Sequence, residues 1–156
     1  MQDFEEIVRR HGPMVYRLAL ATLRHRADAE DVFQEVFLRC AGQTFRSDEH
    51  LKAWLLRVTV NQCRSLRRSA WFRRRAALTE NTVMTEPPPE HSALSEALGQ
   101  LPEKYRAIIH LYYYEHYKSD EIARLLHLAP ATVRTRLARA RQQLAVLLKE
   151  EYHDLS

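Results

Sequence analysis

Residues 119–144, SDEIARLLHLAPATVRTRLARARQQL, restrict what this chain can fold into more than any other stretch. Ser119 has the hydroxyl of a helix N-cap, and Asp120 and Glu121 place negative charge in the first turn, where the helix dipole favours it. Ile122, Leu125 and Leu126 then form an apolar stripe, and Ala123 is small enough for a crossing helix to approach closely. Pro130 suits a first helical position, because its fixed φ and missing N–H cost nothing there. In the helix it opens, Val133, Leu137, Ala140 and Leu144 recur at i, i+4, i+7 and i+11 and define a packed face.

The remaining surface of that helix is basic. Thr132, Thr135, Arg136 and Arg139 share a stripe, Arg134 and Arg141 flank it, and no acidic residue occurs from Ile122 to Lys149. A helix, a tight turn and a basic helix predict a helix-turn-helix, whose second helix enters the DNA major groove with arginine forks for guanine and hydroxyls for bases or phosphates. The plainer reading is a solvated basic face on a bundle helix; the cap, turn and proline spacing favour DNA.

Three glycines, six prolines and little period-two alternation point to an all-α protein, with the short VTV run inside a helical pattern. The formal charge of +4 is modest, but its distribution is uneven. Lys52 to Thr79 holds eight basic residues and no acid, whereas Met1 to Leu51 holds nine acids against seven lysines and arginines. No signal-peptide pattern and no apolar run of membrane-spanning length occurs, so no membrane insertion and a cytoplasmic location are the expectations. Cys40 and Cys63 lack metal-ligand spacing and read as buried free thiols; no metal and no cofactor are expected.

Phe4, Ile7 and Val8 open an amphipathic helix that Gly12 and Pro13 are expected to break or kink, with Met14, Val15 and Leu18 on a second helix. His11 beside that apolar face is read as structural. Asp28 is the expected cap of the next helix, with Ala29, Val32, Phe33, Val36, Phe37 and Cys40 on its core face. Asp31, Gln34, Glu35 and Leu38 form a separate, exposed stripe. Such a stripe is usually solvated surface, and Glu30, Asp31 and Glu35 could alternatively chelate Mg²⁺ in a nuclease.

After the loop AGQTFRSDEH, the stretch HLKAWLLRVTVNQCRSLRR puts Leu51, Leu55, Val58 and Gln62 on one side and Trp54, Arg57, Asn61, Arg64 and Arg68 on another. The second set combines arginines for phosphate, an amide for a base edge and an aromatic for stacking on unpaired bases. For Trp54 a core anchor is the leading reading, ahead of stacking. Three successive prolines at 87–89 mark an extended linker. Beyond it, Leu94, Leu98 and Leu101, then Pro102 at a helix start, then Tyr105, Ile108, Ile109 and Tyr112 complete a four-helix C-terminal domain whose tyrosines are expected mostly in the core. The expected organisation is two small helical domains, 1–79 and 93–156, joined by a proline-containing linker at 80–92.

The runs DAEDVFQEVFLR, AWLLRVTVNQCR and LPEKYRAIIHLYYYEHYKSDEIARLLHLAPATVRTRLARARQQL, in that order, resemble the extracytoplasmic-function (ECF) group of bacterial RNA polymerase sigma factors, and the resemblance covers almost the whole chain. It implies a specificity subunit of polymerase without its own catalytic site. Asp31, Gln34, Glu35 and Leu38 would dock on the β′ clamp helices. Trp54, Arg57, Asn61, Arg64 and Arg68 would melt and read the minus-ten element, with the loop from Ala41 to His50 capturing a flipped base. Thr132, Arg134, Thr135, Arg136 and Arg139 would read the minus-thirty-five element, and the same domain would touch the β flap. The implied partners are core RNA polymerase, promoter DNA and an anti-sigma factor. The chain departs from the family pattern at His116 and His127, where turn glycines are common, and at Ala129 and Ala131, where a hydroxyl cap and a small glycine would stand. A helix-turn-helix regulator acting without polymerase is the main competing reading, but it leaves the acidic stripe and the Trp54 stripe without a task.

Overall fold

Pro13 removes one backbone donor from the first helix but does not interrupt its direction of burial. In the computed structural model, which describes residues 3–76 and 92–154 and the side chains of 3–69 and 92–149, helix α1 runs unbroken over Phe4–Leu23 with Pro13 inside it. This corrects the expected break. An interior proline costs about 3 kcal/mol, but Pro13 lies on the exposed side, where water can serve the carbonyl it leaves unpaired. His11, Gly12, Met14, Val15, Leu18 and Ala19 are buried on either side of it in one continuous face. Gly12 permits that face to come close to its neighbour, since a Cβ there would stand 3.2 and 3.3 Å from atoms of the Phe33 ring.

Helix α1 ends at Arg24, whose left-handed φ of 55° turns the chain directly into α2, Arg26–Cys40. The cap of α2 is His25, not Asp28: the His25 Nδ1 accepts the Asp28 N–H at 3.2 Å. Asp28 therefore sits in the first turn, where its charge still suits the dipole. The core face of α2 is as the periodicity predicts, with Ala29, Val32, Val36, Phe37 and Cys40 buried and Phe33 half-buried. Helix α3, Asp48–Ala76, crosses both and contributes Leu51, Leu55, Leu56, Thr59 and Cys63. Its buried face is thus rotated from the expected one: Val58 and Gln62 lie at its border, half-buried. Arg73, Arg74 and Arg75 have side chains outside the described residues, and so does the linker reading except for Ser92.

The described residues divide into two units, separated between Glu86 and Pro87. The second contains α4, Ala93–Gln100; α5, Glu103–Ile109; α6, Ser119–Leu126; and α7, Pro130–Asp154. Ser92 caps α4 by accepting the Ser95 N–H at 3.0 Å. Ala97, Leu101, Tyr105, Ile108, Ile109, Leu111, Ile122, Val133, Leu137 and Ala140 form the core of this unit. Arg106 is buried among them, its guanidinium donating to the carbonyls of Gly99 and Leu101 at 3.2 and 2.8 Å and so closing the α4–α5 turn.

Helix α5 continues into a π turn, His110–Tyr114, which the periodicity does not foretell. Buried His110 meets the Glu115 carboxylate at 2.8 Å, and its ring stacks on Tyr114. The wider turn carries Tyr113 and Tyr114 outward, to 47% and 56% exposure, leaving Tyr112 and Tyr117 half-buried. Among the described tyrosines of this unit only Tyr105 is in the core, so the expectation that most of them are buried is overturned. No strand occurs among the described residues, and no helix there is long and apolar enough to cross a membrane.

Candidate nucleic-acid interface

Helix α3 separates its two duties by rotation. With about 100° per residue, Trp54, Arg57, Asn61, Arg64 and Arg68 fall within one arc, opposite the buried Leu55, Thr59 and Cys63. Asn61, Arg64 and Arg68 are exposed, while Trp54 and Arg57 are half-buried. Trp54 is neither a core anchor nor a free stacking platform: the Phe45 ring meets it edge-on, with centroids 5.4 Å apart.

Phe45 belongs to the loop 41–47, shorter than the sequence suggests because α3 starts at Asp48. Ser47 is the cap, its Oγ accepting the His50 N–H at 3.1 Å. Gly42 turns the chain with φ +84°, a conformation that only glycine adopts without strain. Beside the loop lies a cavity of about 490 Å³, with Gln43, Thr44 and Phe45 at its rim, Phe4 and Ile7 from α1 on one wall, and Cys40 and Leu51 below. Pockets that hold small ligands span about 300–1,000 Å³. Burial pushes the Cys40 thiol up from its ordinary value, so it behaves as an apolar lining group. Sequence reasoning named the loop through His50 but gave Phe4, Phe45 and His50 no individual part in it; the Ser47-x-x-His50 spacing was the available signal, since a cap residue is often answered three positions later.

On α2, Asp31 and Gln34 are exposed and Leu38 is 70% exposed, an unusually open leucine. Glu35 is half-exposed and accepts from Arg39 Nε at 2.9 Å. The structure thus brings Asp31, Gln34, Glu35 and Leu38 onto one outer surface. Glu30, Asp31 and Glu35 do not gather into a cation site: among the described residues no three His, Cys, Asp or Glu side chains are grouped to hold a metal ion.

In the second unit, α6 begins one residue later than its cap, which is Lys118 rather than Ser119. The Glu121 carboxylate reaches back to accept the Lys118 N–H at 3.0 Å, the reciprocal half of a capping box. At its other end the Leu128 N–H bonds Ala123 O at 2.9 Å and the His127 N–H bonds Arg124 O at 3.4 Å. That is a Schellman closure, with His127 in the left-handed position at φ 54°. Ala129 then offers only its carbonyl to the N–H groups of Thr132 and Val133.

Helix α7 packs through Val133, Leu137 and Ala140 and presents Thr132, Thr135, Arg136 and Arg139 on a common outer stripe. Arg134 is exposed but lies about 200° around the helix from Thr132, so the fold does not bring it onto that stripe. It lies on the side of Arg141, whose Nε donates to the Tyr113 hydroxyl at 2.8 Å and whose guanidinium sits 5.3 Å from the Tyr112 ring centre.

A helix-turn-helix behind a three-helix unit with an opposed basic stripe has counterparts among known proteins. The model of sigma-70 region 2 matches residues 7–73, and that of sigma-70 region 4 matches residues 91–144. The ECF RNA polymerase sigma factor SigM of Mycobacterium tuberculosis is 35% identical over 151 residues, covering 93% of this chain and 76% of SigM. The chain belongs to the ECF group of RNA polymerase sigma factors. SigL of M. tuberculosis is 34% identical over 154 residues, covering 90% of this chain and 85% of SigL, and Bacillus subtilis SigV is 31% identical, covering 94% and 90%. This sigma factor shares its fold with RpoE of Bartonella quintana, solved with the anti-sigma factor NepR, at a TM-score of 0.74 and 21% identity over 96% of this chain and 98% of that one. CnrH, solved with the cytosolic domain of CnrY, aligns at 0.66 and 27% identity over 94% and 88%. As a sigma factor the chain is a specificity subunit: it directs core RNA polymerase to promoters and initiates transcription through sequence-specific DNA binding.

Proposed function

We propose that the two units divide promoter recognition between them, with residues 1–79 acting on the minus-ten element, 80–92 linking, and 93–156 acting on the minus-thirty-five element. The observation that carries this reading is the opposition on α3 between a buried apolar face and an outward stripe of Trp54, Arg57, Asn61, Arg64 and Arg68, with a cavity of about 490 Å³ at its N-terminal end. The arginines neutralise phosphates, Asn61 offers an amide to a base edge, and Trp54 braces the point where stacking is broken. The loop 41–47 receives an extruded base, so the stacking energy lost on extrusion is offset only for a base that fits.

Asp31, Gln34, Glu35 and Leu38 dock on the β′ clamp helices of core polymerase, an open leucine among polar groups being the composition of a contact patch rather than of a solvated face. Thr132, Thr135, Arg136 and Arg139 read the upstream element in the major groove, Arg134 reaches backbone phosphate from the flank, and the unit touches the β flap. The reading includes no catalytic site of the chain's own, a cytoplasmic location, and an anti-sigma factor like the one solved with RpoE. The experiment is transcription by bacterial core polymerase, with and without the protein, on randomised promoter fragments. Protein-dependent initiation from fragments sharing two spaced elements is the expected result. Specific binding to duplex DNA by the protein alone, without any initiation, would favour the lone regulator.

A further inference from the structure

The exit of the loop 41–47 is closed by one residue in three ways. His50 stands at the third position of α3, and its own N–H is held by the Ser47 cap at 3.1 Å. Its ring nitrogen Nδ1 accepts the Arg46 N–H at 3.2 Å. Its ring also meets the Phe45 ring edge-on, with centroids 5.5 Å apart, and Phe45 in turn rests on Trp54. In an ordinary capping box a Glu or Gln at this position reaches back to the cap residue's own N–H. Here an imidazole reaches one residue further and fixes the peptide that joins Phe45 to Arg46. Since Phe45 is a wall of the cavity, the orientation of that peptide sets the cavity's shape.

We infer that His50 is a positioning residue for base selection: it holds Phe45 and the loop backbone in the shape that admits one base, without itself lining the cavity. This rests on the reading of the loop as the base receiver. The accepting nitrogen carries no proton, so the ring works as the neutral tautomer protonated at Nε2, a form that an amide can imitate. Asparagine places its Oδ1 near the position of Nδ1, whereas phenylalanine keeps the ring and loses the acceptor.

The test is transcription by the full-length protein with core polymerase on promoters varied one base at a time through the minus-ten element, comparing wild type, His50→Phe, His50→Asn and Gln43→Ala. Losing one neutral hydrogen bond corresponds to about a threefold to tenfold change. His50→Phe is expected to flatten the base preference at a single position by that factor, with unchanged affinity for core polymerase and unchanged preference in the upstream element. His50→Asn is expected to restore it. Gln43→Ala, at the cavity rim, reports on the loop reading itself. If Gln43→Ala shifts the preference and His50→Phe does not, the inference is overturned while the loop reading stands. If neither shifts it, both fall. Equal flattening by His50→Phe and His50→Asn would also overturn it, because the acceptor would then be irrelevant.

Discussion

On the outer surface of α2, the Glu35 carboxylate accepts from Arg39 Nε at 2.9 Å, one turn further on. The pair is exposed, so it adds at most a few tenths of a kcal/mol to the helix. Its consequence is for recognition: Glu35 presents an already partnered charge, while neighbouring Asp31 and open Leu38 offer an accessible carboxylate and an unspent apolar surface. Asp31→Arg is therefore expected to weaken binding to core polymerase by about tenfold or more, with Glu35→Gln affecting it less. Fluorescence anisotropy against core enzyme measures both, and circular dichroism checks that the helices persist. Unchanged affinity in Asp31→Arg would remove α2 from the docking surface.

The reading helix makes a contrast between two arginines. Arg136 lies on the stripe with Thr132 and Thr135, whereas Arg134 faces the flank. Arg136→Ala should cost about 1–3 kcal/mol at one upstream promoter position and relax specificity there, while Arg134→Ala weakens all promoters alike and lowers the salt dependence. Promoter binding by the holoenzyme across single-base variants at two salt concentrations separates the two patterns. A uniform loss from Arg136→Ala would make it a phosphate contact.

His116 occupies a left-handed conformation, φ 62°, and its side chain is exposed. A side chain in that region costs about 1–2 kcal/mol, part of which glycine recovers before its own entropy opposes it. His116→Gly should leave the protein more stable by up to about 1 kcal/mol. Denaturant unfolding gives the answer directly, and a lower midpoint would show that the His116 side chain makes a contact worth more than the strain.

The Cys40 thiol is 3% exposed and burial holds its pKa above the ordinary thiol value. In the folded protein it keeps its proton where an unfolded thiol would lose it. The linked stability is thus fully present below the unfolded thiol pKa, near about 8.5, and is lost as pH rises through the higher folded value. Alkylation of Cys40 by iodoacetamide at pH 8 should be much slower in the native protein than in denaturant, as peptide mass spectrometry would show. Equal rates would mean that the cavity admits the reagent to a thiolate.

Much of the interface was legible because helical periodicity is local. The alternation that sends Val32, Val36 and Cys40 inward necessarily sends Asp31, Gln34 and Leu38 outward, and the same holds for α7. The caps were less legible. Asp28 and Ser119 are better intrinsic caps than His25 and Lys118, yet each helix starts earlier, where the His25 ring accepts the Asp28 N–H and the Glu121 carboxylate accepts the Lys118 N–H. The cavity was not legible at all, since Phe4 and Ile7 are some forty residues from Gln43 and Phe45 in the chain.

What the sequence by itself determined is most of the helices, the basic stripes of α3 and α7 and the acidic stripe of α2. These follow from residue spacing and side-chain chemistry, which act within a few turns. Only tertiary structure decided that α1 continues through Pro13, that α5 widens into a π turn carrying Tyr113 and Tyr114 to the surface, and that Phe45 closes against Trp54 and His50. In each case a local preference of a few kcal/mol or less is outweighed by burial and ring packing, and that balance exists only once the helices are packed.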